Sequence, residues 1–160
     1  YAALRGRTET MKTLLDNLTP EQRLNLLSVQ DKDGETALHY AAQSGYTETV
    51  ETLFDNLTPE QQLQLLFTQD SDGNTALHEA ALEGRTETMR SLIDNLTPDQ
   101  QLKLLSVKND KGLTASQEAT GISELKNTEK ILEQYQIEAD YAVKYREFAQ
   151  FTQSLNRNKN

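Results

Sequence analysis

Cysteine is absent from the 160 residues. That excludes disulfides, zinc knuckles and thiol catalysis, and it is compatible with a reducing compartment. No apolar run approaches the roughly 18–20 residues of a helical membrane span. Positive charge is in deficit: 16 Lys and Arg stand against 25 Asp and Glu, a formal net charge of −9. No local basic patch offsets the total, so phosphate backbones and anionic bilayers are repelled. Also absent are a Ser–His–Asp set, a glycine-rich phosphate loop and a paired-carboxylate pocket. We therefore expect no catalytic residue, no cofactor, no metal, and neither a nucleic acid nor a membrane as partner. The opening "YAALRGR" has no initiator Met and no signal-peptide core. From it we expect a piece of a longer protein, cut on its N-terminal side. Composition, at 36% hydrophobic and 26% charged, suits a soluble globular chain rather than a disordered one.

Proline is scarce, and its three copies all stand in one recurring phrase: "DNLTPEQ" from Asp16 and again from Asp55, and "DNLTPDQ" from Asp94. The spacing is 39 residues. Residues 31–69 and 70–108 align without a gap and are identical at 24 of 39 positions. Residues 1–30 match the last thirty positions of the same unit, with Tyr1-Ala2-Ala3 on Tyr40-Ala41-Ala42. From Asn109 the unit starts again and then decays. Self-similarity at such a period marks a repeat architecture.

Each unit predicts three short helices. "DKDG" and "DSDG" are turn signals, with Gly34 and Gly73 free to take positive φ. Thr36 and Thr75 suit the N-caps of "TALHYAA" and "TALHEAA", which Gly45 and Gly84 end. "TETVETLFDNL" and "TETMRSLIDNL" are second helices, with Val50, Leu53, Phe54 and Leu57 on one apolar face. Thr58 caps a third, Pro59 suits its first position, and Gln61 completes a capping box. Leu63, Leu65 and Leu66 follow. The phrase recurs because each unit must return the chain to the next turn in the same geometry.

The pattern Asp31, Gly34, Thr36, Leu38, His39, Ala41, Ala42, Gly45, repeated as Asp70, Gly73, Thr75, Leu77, His78, Ala80, Ala81, Gly84, resembles the ankyrin repeat. It departs from that family at Ala37 and Ala76, where the family has proline, and in unit length, 39 against about 33. The resemblance implies an all-α, ankyrin-like solenoid with a short extra helix per repeat. We place an array at 1–135, made of a partial unit 1–30, units 31–69 and 70–108, and a degenerate C-terminal cap 109–135. In that cap Ser116 and Gln117 replace Leu and His, and Thr120 replaces the second Ala, as suits an end unit facing solvent. Residues 136–160 are a C-terminal amphipathic helix and tail. Ile137, Tyr141, Tyr145, Phe148, Thr152 and Leu155 recur three or four apart, and this face is expected to pack on the end of the array; "NRNKN" is expected to fray.

The two histidines, His39 and His78, occupy one repeat position. The resemblance places them about 10 Å apart, too far for one metal, and we expect each to hydrogen-bond a turn and a Thr cap. "NLT" at Asn17, Asn56 and Asn95 matches a glycosylation pattern but is followed by Pro and serves as a helix cap. Asp31, Asp33, Asp70 and Asp72 lack the distal Glu of a calcium loop.

The resemblance also implies that partners bind a concave face of finger tips and inner helices. The matching positions are Lys32, Asp33, Glu35, Tyr40, Gln43 and Ser44; then Ser71, Asp72, Asn74, Glu79, Leu82 and Glu83; then Asp110, Lys111, Leu113 and Glu118. These vary between units while "TETxxxLxDNLTPxQxLxLL" hardly changes. Seven of them are acids and two are lysines, which favours a basic protein surface as partner. We expect a monomeric, non-enzymatic protein-interaction module in the cytoplasm, whose partner is weakened by charge reversal at Glu79 and Glu83 without loss of the fold. Three alternatives stand beside it: the targeting arm of an enzyme lying outside this fragment; a secreted effector acting in a host cytosol, since long units of this style are similar to ankyrin arrays of intracellular bacteria; and a self-associating structural element.

Overall fold

A computed structural model describes residues 7–119 and 126–157, apart from the side chains of 152 and 154–157. The alignment of Tyr1-Ala2-Ala3, the substitution at Thr120, the side chains of Thr152 and Leu155, and residues 158–160 of the tail lie outside the described residues. All regular structure within them is helical. Helices α1 (Thr8–Leu15), α4 (Thr47–Phe54) and α7 (Thr86–Ile93) form an outer row. Helices α3 (Ala37–Ser44), α6 (Ala76–Leu82) and α9 (Ala115–Ala119) form an inner row. Helices α2 (Pro20–Leu27), α5 (Pro59–Leu66) and α8 (Pro98–Leu105) return the chain to the next unit, and α10 (Lys126–Arg157) closes the array.

The constant residues of the repeat make these starts and stops. The Thr58 hydroxyl accepts from the Gln61 backbone N–H while the Gln61 side chain accepts from the Thr58 N–H, with Pro59 at the first helical position. Thr19 and Thr97 do the same with Gln22 and Gln100. Each box satisfies two donors that a helix start leaves unpaired. Gly45 ends α3 at φ 75°. The constant "TET" ties the outer helices together: Thr8 Oγ1 lies 3.1 Å from Thr49 Oγ1, and Thr47 Oγ1 lies 2.8 Å from Thr88 Oγ1.

Between the two rows, one buried cluster runs through the units from Met11 and Leu15 to Leu132. Ala41, Ala42, Ala80 and Ala81 are fully buried, and their size lets α3 and α6 approach closely. Leu38, Leu53, Leu77 and Leu92 fill the space around them. Each buried Leu contributes about 1.5–3 kcal/mol of transfer free energy, and neighbouring units share that burial.

Two expectations are corrected. Helix α4 stops at Phe54 rather than running to Leu57: Asp55 is extended and Asn56 takes φ 59°. Leu57 is still buried, from the connection rather than the helix. The Asp55 carbonyl turned out in this way accepts from Arg23 Nη1 at 2.9 Å, while Arg23 Nη2 donates to the Leu15 carbonyl at 2.8 Å.

The second correction concerns the C-terminal helix. It begins at Lys126, not 136, and crosses 135/136 without a break. It packs on α8 and α9, but not by the expected face. Thr128, Leu132 and Ala139 are buried, and Ile131 and Tyr135 pack against the core. Ile137, Tyr141, Tyr145 and Phe148 are exposed. At 100° per residue, 135 and 137 lie on nearly opposite sides of a helix, so the two sets cannot face the array together. No helix among the described residues is long and apolar enough to cross a membrane.

Candidate functional site

Three finger loops, 31–35, 70–74 and 109–113, stand in a row ahead of the inner helices. Their first residue holds each turn. Asp31 Oδ1 accepts from the N–H of Asp33 and of Glu35. Asp70 Oδ1 does the same for Asp72 and Asn74, and Asn109 Oδ1 for Lys111 and Leu113. The fingers are then joined by backbone: Ser71 N–H donates to the Asp33 carbonyl and Asp110 N–H to the Asp72 carbonyl, each at 3.0 Å. Gln30 Nε2 reaches the Gly34 and Gln69 carbonyls, and Gln69 Nε2 reaches those of Gly73 and Lys108.

The histidines lock this row to the inner helices as expected. His39 Nδ1 accepts from the Thr36 N–H at 3.2 Å and lies 2.8 Å from Thr36 Oγ1. Its Nε2 lies 3.1 Å from the Asn74 carbonyl of the next finger, so Nε2 carries the proton. His78 repeats this with Thr75 and the Leu113 carbonyl. Burial pushes both imidazoles below the usual histidine range. In the last unit Gln117 replaces His and keeps the cap on Thr114.

The sixteen expected contact residues divide into three groups. Lys32, Asp33, Ser71, Asp72, Glu83, Asp110 and Lys111 are exposed, and Glu35, Tyr40, Gln43, Ser44, Leu82 and Leu113 are half-buried. Asn74, Glu79 and Glu118 are buried, which corrects their placement on an open face. They belong to a polar chain running under the fingers. Gln43 Nε2 donates to Glu79 Oε2 at 3.0 Å, and Asn74 Nδ2 to Glu79 Oε1 at 3.1 Å. Asn109 Nδ2 donates to Asn74 Oδ1 at 2.9 Å and also to the Glu118 carboxylate. Lys111 Nζ closes the chain on Glu118 Oε1 at 2.8 Å.

This chain explains the variation at 40, 79 and 118, one position of the repeat. Each residue there bonds the first or fifth residue of its own finger: Tyr40 to Asp31 at 2.5 Å, Glu79 to Asn74, Glu118 to Asn109. Matched internal pairs, not partner contacts, account for the change from Tyr to Glu. The signal in the sequence was Asn109 standing where the other units have Asp31 and Asp70: an Asp facing Glu118 would oppose one carboxylate with another. Burial pushes the Glu79 carboxyl above its ordinary range, and its hydrogen bond to Tyr40 holds the Asp31 carboxyl below. Charge reversal at Glu79 would break a buried network, so the expectation that the fold survives it is corrected too. Glu83, exposed and 3.8 Å from Arg85, remains a surface acid.

What is left on the open side are the side chains at the finger tips. Their backbone does the structural bonding, and the charges of Asp33, Asp72 and Asp110 stand in solvent; Ser44, Leu82 and Glu83, at the C-terminal ends of α3 and α6, are half-buried or exposed. The arrangement can grip a surface. Among the described residues no group of three or more His, Asp or Glu is placed to hold a metal ion.

Residues 1–64 match a family model described as ankyrin repeats in three copies, and residues 41–93 match one described as ankyrin repeats in many copies. No curated protein matches the sequence. A chain in the crystal structure of the yeast ribosomal protein Rps3 in complex with its chaperone Yar1 is similar at 28% identity, over 81% of this chain and 85% of that chain, with a TM-score of 0.65.

Proposed function

The chain belongs to the ankyrin-repeat family, and from that premise we propose that it binds another protein through the finger tips and the adjoining inner-helix surface. The observation that carries this reading is the division of labour in the fingers. Asp31, Asp70 and Asn109 hold the turns, the carbonyls of Asp33 and Asp72 join them, and the side chains of Lys32, Asp33, Ser71, Asp72 and Asp110 have exposed tips. The excess of acid there favours a basic surface on the partner, acting through encounter rate and specificity. The similar solved structure is itself a complex of two proteins, one the chaperone of the other, which supports a protein as the ligand. The proposed role contains no chemical step.

The test begins with capture of a partner on the immobilised chain, followed by titration against the Asp33→Lys/Asp72→Lys variant. These side chains lie outside the buried network, so the thermal midpoint should stay unchanged. Affinity should fall about tenfold or more, chiefly through a slower association rate. Unaltered binding by a folded double variant overturns the assignment of this face.

A further inference from the structure

Helix α10 is apolar on two sides. Its array side buries Leu132 and Ala139. On its outer side Ile137, Tyr141, Tyr145 and Phe148 are 64, 73, 67 and 65% exposed, and Phe151 is 59% exposed. Elsewhere among the described residues the large exposed hydrophobics, such as Leu14, Leu26 and Tyr46, are dispersed over other helices and loops. A contiguous row of this size on one helix marks an interaction site.

The row has a period. Positions 137, 141, 144, 148 and 151 alternate by four and three, and the sequence continues with Leu155. That is the seam of a two-stranded coiled coil, interrupted once by Lys144. The seam is held ready: Arg146 Nη1 bonds Asp99 Oδ2 at 2.7 Å and ties the second half of α10 to α8. Little ordering is left for association to cost.

We propose that this seam is a dimer interface, with α10 of one copy pairing antiparallel to α10 of a second copy. Area allows it. An aromatic side chain carries about 200 Å², so the four outer residues offer roughly 500 Å² per copy, and a pair of copies roughly the 1,000 Å² that a specific interface must clear. Charge selects the partner and the direction. The first half of α10, residues 126–141, carries Glu129, Glu133, Glu138 and Asp140 against Lys126 and Lys130, a net charge of −2, whereas residues 142–157 carry Lys144, Arg146 and Arg157 against Glu147, a net charge of +2. Antiparallel pairing sets the acidic stretch of one copy against the basic stretch of the other, and parallel pairing sets like against like. A single lysine within an apolar seam fixes the register.

Sedimentation equilibrium on the whole 160-residue chain tests this. The chain should dimerise with rising concentration. The Tyr141→Glu/Phe148→Glu variant should stay monomeric with unchanged helicity and thermal midpoint, since both side chains already face water. The cysteine-free sequence permits a test of direction. In the antiparallel pair two copies of position 137 lie about 16 Å apart, so oxidising a mixture of Ile137→Cys and Phe148→Cys chains should give the mixed disulfide over either homodimer. A monomer at every attainable concentration overturns the proposal and leaves the face to a different protein. A dimer that survives the double variant overturns it by placing the contact elsewhere, and preferred homodimeric cross-links overturn the antiparallel pairing.

Discussion

Gly34 lies against the backbone nitrogen of Ser71: a Cβ on Gly34 would stand 2.6 Å from that atom. One finger seats on the next at this point, and no side chain can yield, because the obstacle is backbone. Gly73 meets the nitrogen of Asp110 at 2.7 Å in the same way. Gly112 has the same conformation, φ 75°, with nothing within 4 Å of its added Cβ, because no further finger among the described residues seats on it.

The pair Gly34→Ala and Gly112→Ala therefore separates backbone strain from interlocking. Gly112→Ala should cost only the left-handed strain, about 1–2 kcal/mol. Gly34→Ala should cost that plus the displacement of a neighbouring finger, about 2–5 kcal/mol in all. Urea unfolding of both variants measures the difference. Equal losses would show that the fingers do not rest on each other.

Arg23 is a buried cation whose hydrogen bonds go to two carbonyls, those of Leu15 and Asp55, and its Nε finds no acceptor. The same repeat position holds Gln62, whose Nε2 donates to the Phe54 carbonyl, and Gln101, whose Nε2 donates to that of Ile93. The shared task is to satisfy a carbonyl at the end of the outer helix. Arg23→Gln should thus be nearly neutral, within about 1 kcal/mol, since the lost Asp55 contact is offset by removal of a buried charge. Arg23→Met should cost about 2–4 kcal/mol, because the buried Leu15 carbonyl then also loses its donor. Chemical denaturation of the two variants checks the order, and a Met variant as stable as the Gln variant would refute the carbonyl's role.

The repeat made the fold legible before any coordinates. A period of 39 residues, threonines at helix starts and glycines at helix ends specify local geometry, and a local geometry repeated in register can only stack. The role of His39 was readable for the same reason: its Thr36 partner lies three residues away, and its next-finger partner follows from stacking. The use of Glu79 was not readable. Its partners Gln43 and Asn74 come from two units and two kinds of element, and an acid that varies between repeats looks the same in sequence whether it faces solvent or a buried amide. The seat of α10 was misjudged because both sides of the helix carry apolar residues at three- and four-residue spacing. Periodicity alone does not say which side meets the array, and the more aromatic side proved to be the outer one.

The buried histidines and Glu79 give opposite pH dependences, which a single substitution can separate. His39 and His78 titrate below the usual value of 6.5 in the folded chain, first because burial penalises the imidazolium. A proton on Nδ1 would also confront the Thr36 or Thr75 N–H that it now accepts. The unfolded chain therefore takes up these protons first as the pH falls. Their contribution is complete above about pH 6.5 and is lost toward acid, with a limiting slope of about 1.4 kcal/mol per pH unit for each histidine. Glu79 runs the other way. Its carboxyl is raised above 4.5, first by burial, so the folded chain takes up this proton first, and acidification toward 4.5 adds stability. In Glu79→Gln the counterweight is gone. The variant should be less stable than the parent at neutral pH, because an amide nitrogen then faces the amide donor of Gln43 or Asn74. Its stability should also fall more steeply than the parent's as the pH falls from about 6.5 toward 4.5. Urea midpoints across that interval decide the matter: parallel curves for the two proteins would mean that Glu79 stays ionised within the network throughout.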